Sequence, residues 1–209
     1  HGDLDAEQWR RLTDIVEQAR ASWRLPDHGI WEKRGVARRF TYSAAQCHVA
    51  LTRGMAIADE LGDDDGDVEG WGVEAHAIER AIIEEAWDER LGALCGTLDD
   101  VEEKALDPSV LSLAVRGVIA PDHPRMQATV AAIRRELDVG DGLVVRSLDE
   151  RGAFLFCTGL LVEALAVAGQ KDEARAVFER FSSCASTLGL FSEEIDPATG
   201  AFLGNFPQG

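Results

Sequence analysis

The feature that most constrains this chain is its apolar spacing. Apolar residues recur three and four positions apart, segment after segment, and true alternation is almost absent. A stripe of that period closes only as a helix face. The first runs from about residue 5 to 23 and carries Trp9, Leu12, Ile15, Val16, Ala19 and Trp23. Asp5 and Gln8 stand at capping-box spacing before it, and Pro26 and Gly29 end it. A second stripe covers Ser43 to Leu61, with Cys47, Ala50, Leu51, Ala58 and Leu61 inward, and a third about Gly70 to Arg90, with Ile78, Ile82 and Trp87. A short helix follows Pro108, and another starts where Pro124 suits a first turn and runs to Leu137. The last two cover about Ala153–Ala168 and Asp172–Leu188. Only Ala93–Thr97 and Leu143–Val145 read as strands. The expectation is an all-α chain of about seven helices built from helical hairpins, with no short repeat of fixed period.

Charge narrows the partners. The 38 acidic residues outnumber the 21 basic ones, giving a net charge of −17. Nucleic acid and anionic membrane surfaces both require a basic footprint, so neither is an expected partner. No apolar run approaches the ~20 residues of a membrane helix. The four cysteines form no CxxC and have no histidine cluster beside them, so they read as buried small hydrophobes of a reducing compartment. The opening HGDLDAEQW shows no secretory leader, and the expected location is the cytoplasm. Asp63–Asp67 places aspartates at calcium-loop spacing, but Val68 stands where such a loop needs glycine; it reads as a solvated turn ahead of a helix. His48 and His76 sit inside helices and belong to no HExxH.

Two loops stand out against this scaffold. The first, Pro26–Gly35, sets Trp31 beside Glu32, which offers a sugar-stacking face and a carboxyl in a partly apolar setting suited to a general acid. The second, Phe191–Gly200, is acidic and contains Glu193 and Glu194. Each loop read alone is equally an ordinary surface turn. Carboxylates supplied by separate loops are, however, what glycoside hydrolysis needs.

Four ordered segments sharpen this. GIWEKRG with RRFTYSAAQCHVALTRG, then ALDPSVLSLAVRGVIAPDHPRMQATVAAI, then GAFLFCTGLLVEALAVAG, then EEIDPATGAFLGNFPQ together resemble glycoside hydrolase family 15 across residues 4 to 208. That family holds glucoamylases, glucodextranases and bacterial or archaeal trehalases. The resemblance implies an (α/α)6 barrel of the six-hairpin type, of which residues 1–209 would form a partial catalytic domain holding both loops. It implies inverting hydrolysis of an α-glucosidic bond, with Glu32 as general acid and Glu193 as general base. Trp31, Lys33 and Arg146 would contact substrate. No cofactor or metal is expected, and the implied partner is a small neutral α-glucoside or α-glucan. Lys33, Ala44 and the run Glu150-Arg151-Gly152 depart from the family pattern.

The family's barrel has twelve helices, so the chain reads as its C-terminal half, with activity belonging to the complete parent protein. Helix faces meant for neighbours would then be exposed, to be covered by a second copy or by the rest of the barrel. The alternatives are a carbohydrate-binding module derived from the same fold and a structural helical module with incidental glutamates.

Overall fold

A computed structural model describes residues 4–32, 35, 37–62, 67–102 and 104–208. Among these, seven α-helices dominate and the strands are two residues each. Contacts divide the chain into two units, residues 1–86 with 97–102 and residues 87–96 with 103–209. None of the described helices is long and apolar enough to cross a membrane.

The first unit contains α1 (Ala6–Ser22), α2 (Thr41–Leu61) and α3 (Val68–Glu85). The expected capping box opens α1: Gln8 N–H donates to Asp5, and Asp5 N–H donates to the Gln8 side chain. Helix α2 ends at Gly62, whose φ of 63° is the left-handed cap that glycine adopts without strain. Trp71, Leu51, Ile78 and Ile82 are fully buried. The Trp71 ring meets Trp9 edge-on at 6.5 Å, and its indole N–H donates to Glu17 at 2.6 Å. Gly54 on α2 lets α1 pack close, since a Cβ there would stand 2.7 Å from Val16. Ile15, expected inward, is 60% exposed, and Leu61 is also exposed. Adjacent residues on a helix lie about 100° apart, so Val16 takes the core and Ile15 cannot share it.

The second unit is built around α6 (Leu155–Val167), which packs on α7 (Lys171–Ser182), on α4 (Ser112–Val115) and on the 3₁₀ turn Pro108–Leu111. Helix α5 (Pro124–Glu136) starts as expected, with Pro124 in its first turn and His123 Nδ1 accepting the Arg125 N–H. Trp87, expected on a helix, instead opens β1 (Trp87–Asp88), which pairs antiparallel with β2 (Ala93–Leu94). The Asp88 carboxylate accepts the Leu91 N–H at 2.8 Å, and this turn ends the helix before Trp87. Helix α7 stops at Ser182 rather than near Leu188, because the Ser183 and Ser186 hydroxyls bond to local backbone and compete with the helix. A three-stranded antiparallel sheet also forms, in the order β3 (Ala153–Phe154), β4 (Glu194–Ile195), β5 (Phe202–Leu203). It turns the acidic segment into a hairpin laid against the start of α6.

Candidate active site

The loop carrying Glu32 is a hairpin within the first unit. Asp27 and Arg38 exchange both backbone hydrogen bonds, each at 2.9 Å, and close it. The Asp27 carboxylate accepts the Gly29 N–H at 2.5 Å and the Ser43 hydroxyl at 3.1 Å, tying the loop to the first turn of α2. Gly29 has φ of 65°, and a Cβ there would meet the Phe40 ring at 2.9 Å. Glu32 N–H then donates to the Gly29 carbonyl at 3.2 Å, and Glu32 itself takes φ of 46°. A non-glycine residue in that region is held there by its surroundings, a condition that clusters at functional sites. Arg39 anchors the exit from the loop through Asp99 at 2.8 Å and Glu85 at 2.9 Å. Trp31 is half-buried and Glu32 is exposed, so the apolar setting expected for its carboxyl is not supplied by the described residues of this unit. Lys33 lies outside the described residues, as do Asp63–Asp65 of the acidic turn before α3.

Glu193 lies in the second unit, one residue before β4. Its backbone is bonded on both sides: Leu155 N–H donates to the Glu193 carbonyl at 3.0 Å, and Glu193 N–H donates to the Asn205 carbonyl at 2.8 Å. Its carboxylate accepts the Asn205 N–H at 2.9 Å. Gly204 makes this possible, because a Cβ there would stand 2.6 Å from Glu193 Oε2.

The next glutamate is placed differently. In the sheet register Phe154 and Leu203 lie directly opposite Glu194. Directly opposed residues share a face, and consecutive ones do not. Glu194, Phe154 and Leu203 therefore share one face, and Gly152 borders it. A Cβ on Gly152 would stand 2.5 Å from Glu194 Oε2, so this glycine is the seat of the second carboxylate as Gly204 is of the first.

Arg146 is on the Glu194 face, with its guanidinium 5.2 Å over the Phe154 ring. Its Nε donates to Glu150 Oε1 at 2.9 Å, and its Nη2 donates to the same oxygen. The segment before it is fixed by Phe154 N–H to the Val144 carbonyl at 2.8 Å and Val144 N–H to the Thr158 hydroxyl at 3.0 Å. Burial alone would lower the Arg146 pKa, but the Glu150 hydrogen bond and charge, then the Glu194 charge, outweigh it and raise it. Burial and then the Glu150 charge push the Glu194 carboxyl up, against the pull of Arg146.

The second unit thus brings Arg146 together with Glu150, puts Glu194 opposite the Phe154 ring that Arg146 covers, and holds Glu193 at the start of β4. Trp31 and Glu32 belong to the first unit. Glu194 and Glu150 are residues that sequence reasoning left without a role. The one available signal was the Glu-Glu doublet.

Residues 4–209 match the family model described as glycosyl hydrolases family 15. The chain belongs to this family. A trehalase of Mycobacterium tuberculosis is 40% identical, over 96% of this chain and 30% of its own length. A trehalase of Thermoplasma volcanium is 30% identical, over 94% of this chain and 33% of its own. The chain therefore spans about a third of the curated relatives it matches. Among solved structures, a glycosidase recorded in complex with glucose superposes with a TM-score of 0.79 at 25% identity, over 92% of this chain and 51% of that one. A bacterial glucoamylase complexed with acarbose gives 0.70 at 17% identity, over 93% of this chain and 35% of that one, and shows the fold alone. The all-α, six-hairpin glycosidase class expected from the four segments is the fold class of this family 15 chain.

Proposed function

We propose that this chain carries the acid and the base of an inverting α-glucoside hydrolase, with turnover belonging to the full-length protein. In this reading residues 1–209 form a part of one (α/α)6 catalytic domain. The observation that carries it is the Glu193 carboxylate, held by the Asn205 N–H over a glycine whose missing side chain is its seat, within a family match that spans both loops. Preorganised carboxylates of this kind do proton-transfer work only where geometry is fixed beforehand.

Glu32 donates its proton to the glycosidic oxygen as the C–O bond breaks. Glu193 accepts a proton from water as the water oxygen bonds to C1 from the opposite sugar face. One water is consumed, and each carboxyl group ends in the other's starting protonation state, to be reset by solvent. The spacing this requires between the two carboxyl groups is about 6.5–9.5 Å. Trp31 stacks on a sugar ring. Arg146 holds sugar hydroxyls, a role it shares with Lys33. The net charge of −17 suits a neutral glycan.

Trehalose is the first substrate to test, because the curated relatives named above are trehalases. Maltose and isomaltose complete the panel. In the full-length protein, Glu32→Gln and Glu193→Gln should each lower kcat by at least about a thousandfold while leaving the melting temperature nearly unchanged. Proton NMR of early product from trehalose should show one β-glucose for every α-glucose. Near-normal turnover by either variant, or release of α-glucose alone, would sink the assignment.

A further inference from the structure

We propose that Ser192 is a positioning residue that acts through Glu193: its buried hydroxyl bridges the main chain across Glu193 and holds that residue where the strand pairing breaks. This rests on the reading in which Glu193 is the general base.

Strand pairing is regular only as far as Glu194. Ile195 lies opposite Phe202, and Glu194 opposite Leu203. One step further, the same register would set Glu193 opposite Gly204. Instead the Glu193 N–H donates to the Asn205 carbonyl at 2.8 Å, so Gly204 is left over between the two pairings. Its φ of 68° is the left-handed backbone of a glycine in a β-bulge. The Glu193 carbonyl meanwhile accepts from Leu155, the residue after β3, on the other side of β4. In a regular antiparallel ladder one residue's N–H and C=O face the same neighbouring strand. Glu193 sends them to opposite neighbours, so its peptide groups are turned out of the ladder. A bulge re-aims a side chain, and a re-aimed carboxylate is useful for proton transfer only if the bulge is held still.

Ser192 spans the irregular step. Its side chain is fully buried, and its Oγ–H donates to the Glu194 carbonyl at 2.6 Å. This bond closes a ring that contains the whole main chain of Glu193. On the near side, the Phe191 carbonyl accepts the Gln208 N–H at 2.8 Å, and the Phe191 ring stacks on Phe181 of α7 at 4.6 Å. On the far side, Glu194 is paired with both β3 and β5. Residue 191 is thus anchored, residue 194 is in the sheet, and the serine hydroxyl ties what lies between. A buried hydroxyl needs an acceptor, and here the acceptor stands just beyond the proposed base. Without that bond, the two peptide groups of Glu193 can rotate together about their ends and carry the carboxylate with them.

The test uses the full-length protein with whichever of trehalose, maltose and isomaltose it turns over fastest. Ser192→Ala should lower kcat about tenfold and leave KM within about twofold, because a shifted base weakens the transition state more than the bound sugar. Ser192→Thr keeps the donor, and the cleft beside it, between Phe156, Leu160, Phe181 and Phe191, has room for the added methyl. It should restore kcat to within about threefold of wild type. Ser112→Ala is the control for stability. Ser112 is also buried, lies in the same unit, and donates to the Ser109 carbonyl at the same 2.6 Å. Both alanine variants should melt lower by similar amounts, and only Ser192→Ala should lose turnover. Ser192→Cys fills the same space with a weak donor; it replaces the alanine form if that accumulates poorly, and its kcat should fall below that of Ser192→Thr. A kcat within about twofold of wild type in Ser192→Ala, with Glu193→Gln inactive, overturns this proposal alone. So does a threonine form as slow as the alanine form, an equal loss of kcat in Ser112→Ala, or a loss carried wholly by KM. Near-normal turnover by Glu193→Gln overturns the role of Glu193 and the proposal with it.

Discussion

Gly204→Ala in the full-length protein isolates how much of the rate depends on seating the Glu193 carboxylate. The added Cβ would stand 2.6 Å from Glu193 Oε2 and 3.0 Å from its Cβ, where ordinary contact begins at 3.4 Å. The carboxylate oxygen must therefore retreat by 3.4 − 2.6 = 0.8 Å. A shift of about 1 Å in a reacting group costs on the order of a hundredfold in rate. We expect kcat to fall about 30- to 100-fold with KM little changed. Alanine at φ of 68° carries a second cost, about 1–2 kcal/mol of backbone strain. Gly200→Ala separates the two. Gly200 sits in the turn between β4 and β5 at φ of 71°, and a Cβ there would have nothing within 4 Å. It shares the strain without the displacement. Both variants should melt lower by similar amounts, and only Gly204→Ala should lose turnover. Initial rates at saturating substrate and thermal melts decide it. If Gly204→Ala keeps kcat within about twofold of Gly200→Ala, the seat is not what positions the proposed base.

Three further perturbations test the scaffold. Asp27→Ala removes the acceptor for Gly29 N–H and the Ser43 hydroxyl, and should lower kcat at least about tenfold and stability by about 1–2 kcal/mol, read by initial rates and urea melts. His48 is buried with Nδ1 unpartnered among the described residues, and burial lowers its pKa, with Glu79 opposing and His76 assisting. Its folded pKa lies below the unfolded value of about 6.5, so stability present above that value is lost as pH falls; melts of His48→Gln between pH 7 and 5 should show a flatter slope. Burial pushes the Cys95 thiol up to about 12 and raises Cys157 and Cys47 as well, so alkylation at pH 8 should be slow at half-buried Cys47 and should reach Cys95 only in denaturant, as peptide mass spectrometry will show.

What could be read from the chain alone follows the range of the forces involved. Helix starts are local events. The capping box of Asp5 with Gln8 and the place of Pro124 in a first turn were both legible, whereas the cap that His123 gives the same helix was not read. Helix ends were less so, because Asp88 and Ser183 act through their own side-chain bonds to backbone, which no apolar stripe registers. The β3–β4–β5 sheet was hidden for another reason. Two-residue strands are too short to show alternation, and they pair Ala153–Phe154 with Glu194–Ile195, distant in sequence. The roles of Gly152 and Gly204 were hidden with it. In sequence each is a turn residue; in space each is the hollow that one glutamate fills.

The same sheet explains why the two glutamates of one doublet should respond so differently to substitution. Glu193 has its N–H and its carbonyl engaged with Asn205 and Leu155, so its main chain stays fixed whatever side chain it carries. Ile195, two residues on, is buried with Leu143, Ala153, Leu155 and Cys184 and pins the strand from the other end. Position 193 can lose its carboxylate and keep its backbone, which makes Glu193→Gln a clean probe of chemistry. Glu194 has no such independence, because its carboxylate lies where a side chain on Gly152 would stand and sits in the field of Arg146. A bulky residue there must displace the β3 or β5 backbone before it touches any sugar. Loss of activity in Glu194→Leu would therefore report on packing, and only the isosteric glutamine reads its charge.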